Sequence, residues 1–238
     1  TRLGVRPEHI RVVPNAIDVG AIRRQAAAGP VAPLPARAGG PTLLLPAVAL
    51  RPNKGPEIAV AALAALPGAA LWITGEADDP AGARHRAALE GLAERLGVAD
   101  RVHLVGRRAD VYAVMAAVDA VVVPSLVGEG FGLVAAEAMA VGTPVVVSNR
   151  GALPEVVEHG VSGLVVEAGD PAALAGALTR LAAEPGLTDR LVAGGRRRVE
   201  GSFDYGRWQR EVADVLAGAA SRWTVAGRVW GWRSAVSR

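Results

Sequence analysis

Residues 120–148 read AVVVPSLVGEGFGLVAAEAMAVGTPVVVS. Two β-branched runs, Ala120 to Pro124 and Pro144 to Ser148, flank a helix-forming stretch from Leu133 to Val141. Strands this uniformly apolar are covered on both faces, which requires parallel pairing and a crossover helix. The segment Ser125 to Gly132 makes the turn, and Gly142 stands just past the helix, where a left-handed residue commonly closes one. The stretch therefore reads as one strand–helix–strand unit.

Working outward, the same alternation continues. Further strands are expected at Thr42 to Leu50, Ala70 to Thr74, Val102 to Val105 and Gly163 to Val166. Helices are expected at Pro56 to Leu66, Ala81 to Leu96, Asp110 to Val118 and, briefly, Leu153 to Glu158. The pattern predicts a doubly wound α/β fold with a parallel sheet of about six strands. Helices then follow without strands, at Pro171 to Ala183, Leu187 to Glu200 and Tyr205 to Ala219. Upstream, residues 1–40 read as a connection and a Pro/Gly-rich linker, Gln25 to Pro41 being too rich in Pro, Gly and Ala for a regular element. The expected division is thus 1–40 connection, 41–185 α/β domain, and 186–238 terminal helices with a tail.

Composition narrows the chemistry. The chain has 238 residues and no cysteine, which excludes disulfides, thiolate metal sites and thiol catalysis and suits a cytoplasmic location. The four histidines are scattered with no pair at ligand spacing, so no metal is expected. A net charge of +3 predicts no nucleic-acid partner. No run of apolar residues is long enough to cross a bilayer. The last 18 residues, SRWTVAGRVWGWRSAVSR, interleave Trp with Arg; either they touch a membrane surface or a nucleic acid, or they cover apolar surface on a part of the protein outside this chain or are partly disordered. Of 26 basic residues a single one is lysine, Lys54, through coding bias or through a specific need.

In a parallel sheet, ligands gather outside the carboxyl ends of the strands, where loops lead into helix N-termini. Glu129 lies in such a loop. Gly130 and Gly132 allow close backbone approach, and the unpaired N–H groups of the following helix favour an anion such as phosphate. The loop matches neither GxxxxGK[ST] nor GxGxxG, so neither of those phosphate sites applies. Glu137 is the only polar side chain between Leu133 and Val141. Either it is the solvent-facing residue of this helix, or it faces inward and requires donors, because an unpaired buried carboxylate costs several kcal/mol. Ribose hydroxyls would serve.

EGFGLVAAEAMAVGTPVVVS resembles the Glu-x7-Glu signature of family 4 retaining glycosyltransferases of the GT-B fold, whose two Rossmann-like domains transfer sugars from nucleotide-sugar donors. VVPNAID, LRPNKGPEIAVAAL, ADRVHLVGRRADVYAVMAAVDAVVVPS and GALPEVVEHGVSGLVVEAGDPAALAGAL resemble other segments of that family in order and spacing. The resemblance covers roughly residues 5–185 and implies the C-terminal, donor-binding half. It implies that Glu129 and Lys54 are the catalytic pair, Glu129 bonding the donor sugar and Lys54 neutralising the diphosphate. It further implies that amides of Gly130, Phe131, Gly132 and Leu133 hold sugar and pyrophosphate, that Glu137 binds ribose, and that Gly106 and Arg107 lie by the nucleobase. No metal is implied, since the chain has no DxD motif, and no cofactor beyond the donor. The acceptor would be a sugar, a lipid or a small molecule, bound by an N-terminal domain outside this chain.

One position departs from the family. Where an arginine often stands five residues before the lysine, this chain has Ala49, and Arg51 is the candidate substitute. That departure keeps open a non-catalytic nucleotide-sugar-binding module, or another GT-B enzyme such as a sugar-nucleotide epimerase.

Overall fold

A computed structural model describes residues 6, 10–36 and 39–225. After a first helix, α1 (Val19–Ala27), strands and helices alternate along the chain. They are β1 (Thr42–Leu45), α2 (Pro56–Leu63), β2 (Ala70–Thr74), α3 (Pro80–Arg95), β3 (Val102–Gly106), α4 (Val111–Ala116) and β4 (Ala120–Val123). Then come α5 (Leu133–Val141), β5 (Val145–Ser148), α6 (Leu153–Val156) and β6 (Leu164–Val166). Helices α7 (Pro171–Ala183), α8 (Leu187–Ser202) and α9 (Tyr205–Val225) end the described chain.

The six strands form one sheet in the order β3-β2-β1-β4-β5-β6, and every pair is parallel. Side chains alternate between faces with period two, so each strand feeds two cores. Leu43, Leu45, Leu71, Ile73, Val122 and Val146 join α2, α3 and α7 on one face. Leu44, Trp72, Val121, Val123, Val145 and Val147 join α1, α4, α5 and α6 on the other. Two covered faces explain why the strand sequences are continuously apolar.

Three sequence expectations change. The first strand stops at Leu45, short of the expected Leu50, because Pro46 cannot donate to a sheet ladder. Beyond it, Thr74 Oγ1 bonds both the N–H and the C=O of Ala47. Second, residues 1–40 include a packed helix: Asp18 caps α1 by accepting from Ala21 N–H, and Val19 and Ile22 are buried beside α4 and α5. Third, the Pro-rich stretch after α1 is tied down. Arg108 donates to the carbonyls of Ala32 and Pro33, and Asp110 accepts from Val31 N–H.

The expected boundary at 186 is also bridged, since α8 packs on α5 and the N-terminal segment closes on the α8–α9 corner through Ile17 N–H to Phe203 O and Tyr205 N–H to Ile17 O. The tail's Trp230 and Trp232 lie outside the described residues. Among the described residues no helix is long and apolar enough to cross a membrane.

Candidate functional site

The strand order reverses direction between β1 and β4, and the loops leaving these two strands diverge to opposite faces of the sheet. A crevice must open between them. After β1 the chain makes a single 3-10 turn, Pro52–Lys54, ended by Gly55 at φ 68°. A Cβ on Gly55 would lie 2.1 Å from the carbonyl oxygen of Pro124, so only glycine lets this turn touch the exit of β4. Leu126 N–H then donates to Asn53 O at 3.0 Å and locks the two loops together.

The result is a meeting of charges remote in sequence. Lys54 Nζ donates to Glu129 Oε1 at 2.6 Å, and Ser125 Oγ donates to the same oxygen at 2.7 Å. Ser125 is fully buried, its own carbonyl accepting from Ser148 Oγ at the end of β5. The backbone of Glu129 is gripped by the loop after β5: Ala152 N–H donates to Glu129 O at 2.9 Å. A Cβ on Gly151 would meet Glu129 N and O at 2.4 and 2.3 Å. Burial pushes the Glu129 carboxyl upward, but hydrogen bonds from Lys54 and Ser125 and the lysine charge outweigh it and hold the group below its ordinary value.

Above this pair stands the N-terminus of α5. Gly132 takes φ 97° at the N-cap and no side chain caps the helix, so its first-turn N–H groups point into the crevice. A cleft of about 440 Å³ opens here, lined among others by Asn15, Lys54, Glu129, Gly130, Phe131 and Leu133. That volume suits a small ligand. Lys54 is the only cationic side chain among the described residues lining it.

Glu137, one turn further along α5, is half-buried rather than turned to bulk water. Tyr112 Oη, in the first turn of α4, donates to its Oε1 at 3.0 Å. Burial raises the Glu137 carboxyl above its ordinary value, and the tyrosine only partly offsets this. The tyrosine in turn is pushed up to about 12 by burial and by the neighbouring carboxylate, so it stays a donor.

Arg51 does not take the place expected of it. Its guanidinium is bound to Asp79, the N-cap of α3, and it does not line the cleft. Arg51 stands in extended backbone just before the 3-10 turn, and its side chain reaches the start of α3 instead. Gly106 closes β3 at φ 71° and Arg107 is exposed, 3.6 Å from Glu76; both lie at the same carboxyl edge of the sheet but two strands from β1. Tyr112, Ser125, Asn15 and Gly151 were not singled out from sequence. Ser125 follows directly on the expected strand Ala120 to Pro124, a signal that could have found it, whereas Tyr112 is 25 positions from its partner and carries no local cue.

Comparison with known proteins gives one picture. The profile of the family described as glycosyl transferases group 1 matches residues 35–198, more than half of the chain. D-inositol 3-phosphate glycosyltransferase of Mycobacterium marinum is 39% identical over 200 residues, covering 74% of this chain and 42% of that protein. The enzyme of that name from Xylanimonas cellulosilytica is 38% identical over 231 residues, covering 92% and 54%. The chain thus spans about half the length of these curated relatives. Among solved structures, Anabaena HepE in complex with UDP-glucose superposes with a TM-score of 0.76 at 27% identity, over 91% of this chain and 60% of that one. Sucrose-phosphate synthase from Thermosynechococcus elongatus superposes with a TM-score of 0.73 at 32% identity, over 89% and 53%.

Proposed function

Since the chain belongs to the glycosyl transferases group 1 family, we propose that it is the donor-binding half of a retaining glycosyltransferase that moves a hexosyl group from a nucleoside-diphosphate sugar. The observation that carries this reading is the Lys54–Glu129–Ser125 cluster beneath the uncapped N-terminus of α5, at the crevice between β1 and β4. Supporting it, the similar HepE structure holds UDP-glucose. The acceptor, a sugar, lipid or small molecule, is assigned to an N-terminal domain outside this chain, and the compartment to the cytoplasm.

In this mechanism the bond between the anomeric carbon and the diphosphate oxygen breaks, its electron pair staying with the diphosphate. An acceptor hydroxyl oxygen bonds the anomeric carbon from the same face, and its proton passes to the departing phosphate oxygen. No protein nucleophile is assigned. Charge growing on the leaving group is met by Lys54 and by the α5 amides. At about 4 Å and an effective dielectric near 20 the lysine contributes on the order of 4 kcal/mol before desolvation. A helix terminus contributes about 0.3–1 kcal/mol, so the lysine dominates. Its ion pair with Glu129 can exchange from the lysine side: Lys54 is 38% exposed and Glu129 18%, and Ser125 stays on the carboxylate when the lysine leaves. When Lys54 turns to the diphosphate, Glu129 is released to accept from sugar hydroxyls, and Glu137 accepts from the ribose.

A second reading, a nucleotide-sugar-binding module without transfer, is favoured by one observation: Ala49 and the diversion of Arg51 to Asp79 leave a single cation at the cleft among the described residues. Calorimetric titration of the chain with UDP, GDP, ADP and UDP-glucose tests both. The donor-site reading expects Glu137→Ala to weaken nucleotide and nucleotide-sugar alike, and Glu129→Ala to weaken the sugar-bearing form alone. Equal effects of Glu129→Ala on both ligands refute the division of roles, and no binding by any nucleotide refutes the site. Donor turnover once an N-terminal domain is supplied separates enzyme from binder.

A further inference from the structure

Glu137 is the one charged side chain of α5, and a diol offers it two O–H donors where a carboxylate has two oxygens to accept with. One of those oxygens is already engaged. Tyr112 reaches Glu137 Oε1 from α4, a neighbouring element, and its ring packs against the buried core formed by α1, α4, α5 and the sheet. A hydroxyl on a packed ring is fixed in direction before any ligand arrives. The other charged groups on elements packed against α5 are engaged elsewhere or exposed: Glu155 of α6 and Asp189 of α8 are exposed, and Arg190 of α8 pairs with Glu184. Arg23 of α1 goes to Ala140 O and Glu200, and Asp110 at the start of α4 goes to Arg108. On α8, Arg198 goes to the carbonyls of Glu155 and Val156 and toward Glu158, the Arg196 guanidinium lies at Gly142, and Arg197 is exposed. On α1 Arg24 is exposed.

We infer that Tyr112 is a positioning residue for the ribose site: its hydroxyl holds Glu137 Oε1, keeps the carboxylate aimed, and leaves Oε2 as the acceptor for the nucleotide's diol. This rests on the donor-binding reading of Glu137. Two consequences separate it from a packing role. A donor to the ionised carboxylate favours that form, so removing it raises the pH at which Glu137 takes up a proton. Removing it also loosens the acceptor's aim, so the preference for a nucleotide bearing a diol falls.

The test is Tyr112→Phe, which keeps the ring and its packing, beside Glu137→Gln. UDP, GDP and ADP are each titrated together with their 2′,3′-dideoxy counterparts from pH 4 to 8. The expected result for Tyr112→Phe is about fivefold weaker binding of the preferred nucleotide at pH 7. The acid midpoint of binding should move up by about one pH unit, and the preference over the dideoxy form should narrow. Unchanged midpoint and unchanged preference in Tyr112→Phe, with Glu137→Gln impaired, overturn the inference and leave the ribose site standing. If Glu137→Gln itself binds the normal and dideoxy nucleotides as the parent chain does, the ribose reading falls and takes the inference with it. A melting curve on Tyr112→Phe matching the parent chain assigns the binding effects to the hydroxyl; should it melt early, the titrations are repeated well below its melting transition, where an unchanged midpoint and an unchanged dideoxy preference overturn the inference.

Discussion

Glu129 and Glu137 stand eight positions apart on either side of the start of α5, and the fold treats them in opposite ways. Both lose water, and for both the loss of water is the largest influence, pushing the carboxyl upward. Yet Glu129 ends below its ordinary value and Glu137 above it. The difference lies in the donors. Glu129 receives an ammonium and a hydroxyl, whereas Glu137 receives one neutral hydroxyl. A cation overcomes desolvation, and a single phenol does not. One carboxylate is therefore matched within the protein and must be released to act; the other is short of donors and is ready to accept them.

The largest effect is expected where the matched side is built. In Gly55→Ala the new Cβ would sit 2.1 Å from a backbone oxygen at a left-handed φ, a clash no side-chain rotation relieves. We expect a loss of about 3 kcal/mol in urea unfolding and loss of nucleotide binding, because the Lys54 turn can no longer rest on β4. Stability within about 0.5 kcal/mol of the parent chain would show that the two loops are not locked. Next comes Lys54→Ala. Diphosphate affinity is expected to fall about 100-fold, as for removing one partner of a hydrogen-bonded charge pair. Stability should fall by about 1–3 kcal/mol, because Glu129, 18% exposed, keeps Ser125 but loses the ammonium that offset its burial. A large stability loss with intact binding would reverse the roles assigned to the ion pair.

The two sides also differed in how much of them the sequence disclosed. Parallel order, the helix Leu133–Val141 and its glycine closure were readable because apolar period and cap chemistry are local. So was the pairing of Lys54 with the Glu129 loop, on the strength of a resemblance spanning several segments. What stayed hidden is whatever depends on two distant backbones touching. Gly55 needs Pro124 and Gly151 needs Glu129, and neither contact leaves a pattern in its own neighbourhood. The helix Val19–Ala27 was missed because residues 16–28 carry only three large apolar side chains, Ile17, Val19 and Ile22, and it owes its place to α4 and α5. Arg51 was misplaced for a related reason: the draw of Asp79 at the start of α3 is a tertiary fact.

The smaller predictions use pH to separate the two carboxylates. A carboxyl whose folded value is raised binds more protons folded than unfolded, so its contribution to stability declines as pH rises through the carboxylate range. Glu137 therefore strains the fold at neutral pH, and Glu137→Gln should stabilise it by about 1 kcal/mol there. The advantage should vanish below the ordinary carboxylate value, while nucleotide binding stays impaired. Glu129 has the opposite sign: its contribution is full above the ordinary carboxylate value and is lost as pH falls through the lower folded one. Ser125→Ala removes one of its two donors and is expected to cost about 0.5–1 kcal/mol at pH 7, with a smaller further loss on acidification than the parent chain shows. Urea unfolding of both variants from pH 7 to 3 reads the two slopes directly. If Ser125→Ala and Glu137→Gln bend the profile in the same direction, the two carboxylates do not differ as their donors require.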